Sequence, residues 1–186
     1  MTFRAFIAVE VEVGTKLEEF WNKLKESNAQ LKLVEPENIH LTLKFLGDTD
    51  EAKIGDIESA MSLSIEGVEP FTMEMIGTGA FPNPNYMKVI WVGLEGADSL
   101  VKIAKALNSE LSKHGFKREK KGFRPHVTLA RVKGPRNKQI LGDILKEYQD
   151  VVFGTQKVEG IKLKKSVLSR EGPTYITVKE VKLLGT

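Results

Sequence analysis

Two short stretches of this chain carry residue types fit for acid–base chemistry: His40-Leu41-Thr42-Leu43 and His126-Val127-Thr128-Leu129. Each lies in an apolar, β-branched run that reads as a strand, where residues two apart share a face. His40 with Thr42, and His126 with Thr128, should point one way while the Leu and Val beside them point the other. Each pair offers an imidazole that titrates near neutrality and a hydroxyl that can donate to an anionic oxygen. Given a His, Thr at +2 and Leu at +3 arise by chance on the order of once in a couple of hundred. Two of the chain's three His carry both. A single copy would read as a strand His with an incidental Thr; two matched copies read as a site.

Two imidazoles facing one another suit a base and an acid working on opposite sides of a reacting centre. Two hydroxyls beside them suit the non-bridging oxygens of a phosphate, where charge builds up. Phosphodiester cleavage needs this set: a base for the entering water, donors for the pentacoordinate phosphorus, and an acid for the leaving alkoxide. The chain has no HExxH, no acidic cluster of two-metal type and no Walker-type glycine loop. No metal and no cofactor is therefore expected. With no Cys there is no thiol nucleophile, Cys-ligated metal or disulfide framework.

Composition fits an ordinary globular protein, 41% hydrophobic and 28% charged. A net charge of +3 permits a polyanionic partner without demanding one. No apolar run approaches the ~18 residues of a membrane span, so no membrane association is expected. Met1 to Val9 is too short, and too soon followed by Glu10 and Glu12, for a secretory signal. These features point to a cytoplasmic monomer, and abundant Lys and Glu without Cys hint at a thermophile.

The elements that must position the pairs follow from periodicity. Phe3 to Val9 alternates as a strand. Gly14 breaks the chain, and Thr15 with Glu18 gives a capping-box signature for a helix over about 15–29, with Leu17, Phe20, Trp21 and Leu24 inward. Leu31 to Val34 is a short strand before Pro36, and Ile39 to Leu46 is the first His strand, closed by Gly47-Asp48. Asp48, Thr49 and Asp50 precede a helix using Ile54, Ile57 and Met61. Phe71, Met73 and Met75 mark a strand, Gly77 to Tyr86 a loop, and Met87 to Gly93 a strand. Asp98 caps a third helix that ends at Gly115. After a basic stretch from Lys117 to Arg124 comes the second His strand, ending near Gly134-Pro135. Asn137 starts a fourth helix, and Val151–Phe153, Val158–Lys165 and Thr174–Leu183 are the last strands.

The halves share one order: strand, helix, His strand, helix, strand. With the two His 86 residues apart, that order reads as an internal duplication of about 85 residues. Several strand-to-strand steps are too short for helical crossovers, which favours antiparallel sheets. The expected fold is α+β: residues 1–186 as a single domain of two pseudo-symmetric lobes, with helices on the outer faces and a central cleft.

The paired motifs resemble those of the two-histidine phosphoesterases, and most closely the RNA 2′,3′-cyclic phosphodiesterases, also called 2′-5′ RNA ligases. Arg4-Ala5-Phe6-Ile7-Ala8 resembles that family's opening strand. Phe81-Pro82 followed by Val89-Ile90-Trp91-Val92-Gly93 resembles its central segment. Phe123 to Arg131 is similar to the second motif with its flanks, and Ser166-Val167-Leu168 with Gly172-Pro173-Thr174-Tyr175 to its closing strands. Met87-Lys88 stands where the family pattern leads one to expect Arg, and Lys lacks the bidentate fork. The resemblance implies a bilobal duplicated fold and metal-independent hydrolysis of RNA 2′,3′-cyclic phosphate ends to 2′-phosphomonoesters. Reverse 2′-5′ ligation would be the same chemistry run backwards. It implies His40 as the acid for the leaving 3′ oxygen and His126 as the base for water; spacing alone leaves those two roles open.

Further candidates for RNA-end contacts are Arg124 and Lys44, which share strand parity with the His. Arg131 is a further substrate-binding candidate: on the opposite face of an ideal strand it reads equally as a solvated surface charge or a phosphate contact, the latter if a twist or bulge turns it inward. Phe81 and Tyr86 are candidates for stacking on bases or for local packing. Tyr175 reads as core and His114, at a helix end, as structural. Two rival functions remain: a non-catalytic RNA-binding module, and a two-histidine phosphodiesterase acting on a small cyclic nucleotide.

Overall fold

The computed structural model describes residues 1–184. Its elements are β1 (Thr2–Glu10), α1 (Thr15–Glu26), β2 (Leu31–Leu33), β3 (His40–Asp50), α2 (Ile54–Ser64), β4 (Phe71–Asn83), β5 (Tyr86–Glu95), α3 (Asp98–Lys113), β6 (His126–Val132), α4 (Lys138–Glu147), β7 (Val152–Val158), β8 (Gly160–Ser169) and β9 (Gly172–Lys182). All pairings are antiparallel. One sheet has the order β3-β1-β8-β9 and the other β2-β6-β5-β4-β7. The fold is α+β, as expected.

In each sheet the His strand lies antiparallel to the strand that precedes its own helix: β3 beside β1 and β6 beside β5. The helices exchange sheets. α1 packs with α4 and against β7 of the five-stranded sheet, while α2 and α3 pack together and against β9 and β3 of the four-stranded one. The elements of the two sheets therefore interleave along the sequence. Burial of Ile7, Leu41 and Leu163 on one sheet, and of Met73, Met75, Ile90, Val127 and Leu129 on the other, fills the helix-covered faces. These residues alternate with the His-bearing faces, which the helices leave open. The alternation expected from period-2 patterning holds.

Local chemistry shifts several boundaries. Gly14, not Thr15, is the N-cap of α1, so Thr15 is already helical and makes no capping bond. Ala97 occupies the N-cap of α3, and Asp98 lies in the first turn, where its charge complements the helix dipole. The span expected as a loop from Gly77 is strand: β4 runs on to Asn83 and turns directly into β5. Pairing of β4 with β7 ends at Ile76, so Pro82 lies where β4 has an open edge, the place in a sheet that tolerates Pro. β3 likewise passes Gly47, which takes φ +72°, and continues to Asp50, whose carboxylate accepts from Ala52 N at 3.0 Å.

Candidate active site

Both His strands carry the same irregularity at the same place. Across β1, Thr42 pairs with Ala8 and Lys44 with Ile7, leaving Leu43 without a partner. Across β5, Thr128 pairs with Trp91 and Ala130 with Ile90, leaving Leu129 without one. A bulge of one residue turns everything beyond it to the other face. Leu43 and Lys44 are consequently both buried, as are Leu129 and Ala130. Phe45 and Arg131, five residues after their His, emerge exposed on the His side.

This geometry decides the four candidate contact residues. Lys44 leaves the site: buried on the helix side, its ammonium donates to Asn108 Oδ1 at 3.0 Å and to the Lys117 carbonyl at 2.9 Å. Parity counting failed there because of the bulge. Arg131 enters the site for the same reason, pairing with Val89 on the face of Trp91 and His126. Arg124 contributes its carbonyl, which accepts from His126 Nδ1 at 2.7 Å, while its side chain is exposed. Phe81 is a buttress: its ring meets His126 edge-on at 4.9 Å and Trp91 at 5.2 Å. Tyr86 lies apart, beside the ammoniums of Lys88 and Lys138. His114 stays structural, 3.5 Å from Asp56 at the end of α3.

The two imidazoles are held alike. His40 Nδ1 lies 2.7 Å from the Asn38 carbonyl, and His126 Nδ1 lies 2.7 Å from that of Arg124. A carbonyl only accepts, so in each neutral ring the proton is on Nδ1 and Nε2 carries the free lone pair. His40 Nε2 is 2.9 Å from Thr42 Oγ1. Among the described residues, His126 Nε2 has no hydrogen-bond partner. Asn38 also donates from Nδ2 to the Pro173 carbonyl at 2.8 Å, fixing the turn before His40 to β9.

Burial lowers the pKa of both His, the backbone carbonyls oppose that, and a cation lowers each further: Lys164 for His40 and Arg131 for His126. Lys164 is itself buried and bonded to Glu10 and Thr177 Oγ1. The charge of Arg131 also reaches Tyr175, whose ring stands edge-on to His40 at 5.2 Å. β3 and β6 pack against each other, so the two His strands, one from each sheet, adjoin. Val34 N, directly after β2, donates to the Leu129 carbonyl at 2.8 Å and so extends the β2–β6 ladder.

Sequence reasoning missed Asn38, Glu10, Lys164, Phe6 and Trp91, and took Tyr175 for core. Phe6 packs on His40 at 4.9 Å, as Phe81 does on His126. Trp91 lies over Gly79, where a Cβ would come within 2.3 Å of the indole. The one available signal was alternation: Lys162 and Lys164 flank the buried Leu163 and so mark a polar face on β8.

Comparison with known proteins agrees with this arrangement. A protein of Methanothermobacter thermautotrophicus named RNA 2′,3′-cyclic phosphodiesterase is 40% identical over 185 residues, covering 98% of this chain and 100% of its own. One of the same name from Methanocaldococcus jannaschii is 41% identical over 179 residues, covering 95% and 99%. A crystal structure of a Thermus thermophilus protein superposes with a TM-score of 0.78 at 29% identity over 98% of each chain. That of Escherichia coli LigT complexed with 3′-AMP gives 0.69 at 22% identity over 98% and 99%, a likeness of fold alone. The model of the AKAP7 2′5′ RNA ligase-like domain family matches residues 3–183, and with the paired His-Thr strands in that span the chain belongs to this family of two-histidine phosphoesterases.

Proposed function

We propose that the chain hydrolyses RNA 2′,3′-cyclic phosphate ends to 2′-phosphomonoesters, with His40, Thr42, His126 and Thr128 as the reacting set. The observation that carries this is the matched tautomer: both rings present Nε2, one held by a Thr hydroxyl and one open. Relatives of like length and 40–41% identity bear the name of that activity.

In the proposed reaction water attacks phosphorus and gives its proton to His126 Nε2, which is neutral and without a partner. Thr42, Thr128 and the Arg131 charge meet the non-bridging oxygens as the pentacoordinate state forms. The bond from phosphorus to the 3′ oxygen breaks, and His40 Nε2–H protonates the leaving oxygen. The products are a 2′-monoester and a 3′ hydroxyl; His126 then releases its proton to solvent and His40 regains one. Burial holds the His40 pKa below its ordinary value in the empty site, and the incoming phosphate anion raises it toward the protonated form. With a 5′ hydroxyl in place of water, the same path forms a 2′-5′ diester: His126 takes the hydroxyl proton, the bond to the 3′ oxygen breaks, and His40 protonates that oxygen.

The acting unit in this proposal is a single two-lobed domain working as a monomer. Among the described residues no helix is long and apolar enough to cross a membrane, and the expected setting is the cytoplasm. The test is incubation of RNA bearing a 2′,3′-cyclic phosphate with the protein in chelator. A 2′-monoester product supports the scheme; salt-dependent binding without turnover would make the protein an RNA-binding module. Turnover confined to mononucleotides would make it a small cyclic nucleotide phosphodiesterase.

A further inference from the structure

The net charge of +3 is unevenly spread. From Lys117 to Lys138 there are nine Lys and Arg and one acid, Glu119, a net +8, which leaves the rest of the chain at −5. Among the described residues none of those nine cations makes an ion pair, whereas eight lysines elsewhere do. The segment enters β6 ahead of His126 and leaves it beyond Arg131, so the excess charge lies along the second His strand.

The fold sets like charges side by side here. Lys32 on β2 is directly opposite Arg131 on β6, and both are exposed. Directly opposite residues share a face, so Lys32 is on the His side. Lys133, two residues beyond Arg131, keeps that face, because its N–H donates to the Gln30 carbonyl at 2.7 Å and continues the ladder. Lys88 and Lys138 both bring their ammoniums to the exposed ring of Tyr86, at 5.2 and 5.5 Å. Tyr86 is three residues before Val89, the partner of Arg131, so about 10 Å of strand separates the two groups. Like charges directly opposed destabilise a sheet, and a row of phosphates between them removes that cost. We propose that Lys32, Lys133, Lys88 and Lys138 form a track for the phosphates of the RNA body, running from Arg131 to the turn at Tyr86. Continuity favours a nucleic acid over other polyanions: the track begins at the residue that meets the phosphate in the proposed reaction. Phosphate contacts carry no sequence information. The track therefore selects an RNA chain over a mononucleotide, whatever its sequence.

This inference rests on the proposed RNA-end chemistry, and its test separates the two. Binding is measured without turnover, by anisotropy of a labelled RNA ending in a 2′-phosphate, over a range of salt. For a single strand the logarithm of affinity falls with that of salt by about 0.7 per phosphate neutralised. Lys88→Gln with Lys138→Gln should therefore reduce that slope by about 1.4 and weaken binding at low salt. Lys102→Gln with Lys105→Gln removes the same charge from the exposed side of α3 and should leave the slope as it is. In hydrolysis, the track variant should lower kcat/KM for an RNA chain and leave that for a mononucleoside 2′,3′-cyclic phosphate unchanged. Equal changes of slope in both variants, or none in the track variant, would overturn the track. So would binding to phosphatidylserine vesicles that depends on Lys88 and Lys138 while RNA binding does not, which would assign the surface to a lipid. Track-dependent RNA binding without hydrolysis would retain the track and overturn the proposed reaction.

Discussion

Phe45 and Arg131 occupy the same position in two copies of one bulged strand, five residues after His40 and His126 and on their side of the sheet. The two His strands thus share the backbone device while the side chains it presents differ. The site has a shared core of imidazole and hydroxyl and two unlike flanks.

The flanking cations should tune the two His separately. Removing Lys164 with Lys164→Met takes a positive charge from His40, which raises its pKa. With His40 as the acid, the alkaline limb of kcat/KM moves to higher pH. Arg131→Met raises the pKa of His126 and, with His126 as the base, moves the acidic limb upward instead. Pairing the opposite way would exchange the two assignments. Profiles of both variants, with NMR titration of the two imidazoles, check this.

Stability should carry the same signature. Burial holds both folded-state imidazoles below the ordinary His value of about 6.5. As pH falls, the unfolded chain takes up protons at these positions before the folded one does, so stability declines from about pH 6.5 down through the depressed values. His40→Gln with His126→Gln should flatten that decline below about pH 6.5. The Glu10 carboxylate, lowered chiefly by its bonds from Lys162 and Lys164, contributes stability that is lost only at more acid pH. Denaturation midpoints measured across this range decide it, and an unchanged slope would contradict it.

Lys44 serves the fold. Lys44→Met removes the donor to the Lys117 carbonyl and one of two donors to Asn108 Oδ1, which also accepts from Glu119 N, a loss of about 0.5–1.5 kcal/mol. Chemical denaturation should show that loss while KM for RNA ends stays the same. A raised KM with unaltered stability would return Lys44 to the cleft.

Gly79 has a steric role in the site. A methyl there meets the Trp91 ring at 2.3 Å, and Trp91 supports Phe81, which supports His126. Gly79→Ala should cost about 1–3 kcal/mol, as overpacking does. It should also lower kcat through a misplaced His126 and shift the Trp fluorescence of the folded state. Normal kcat in the variant would separate Trp91 from the placement of His126.

Much of this site was legible in the residues. The matched His-Thr pairs, the face they share and the helix stripes under them follow from periodicity, because side-chain period is a property of the strand or helix itself. What lay beyond the bulges was not legible. Whether Leu43 or Leu129 drops out of the ladder depends on how β1 and β5 pair with them, a relation between distant segments. Lys44 was therefore assigned to the wrong face and Phe45 passed over, while Arg131 depended on a bulge the sequence does not announce. Lys164 and Tyr175 join the site through β8 and β9, which reach His40 only in the folded sheet.

The most direct measurement is single-turnover hydrolysis of an RNA carrying a 2′,3′-cyclic phosphate, in chelator, by the unaltered chain and by His40→Ala and His126→Ala. The account predicts a 2′-monoester from the unaltered chain, and a loss of about 10²–10⁴ in rate for each variant with the fold retained by circular dichroism. A 3′-monoester product, or near-normal rates in both variants, would contradict it.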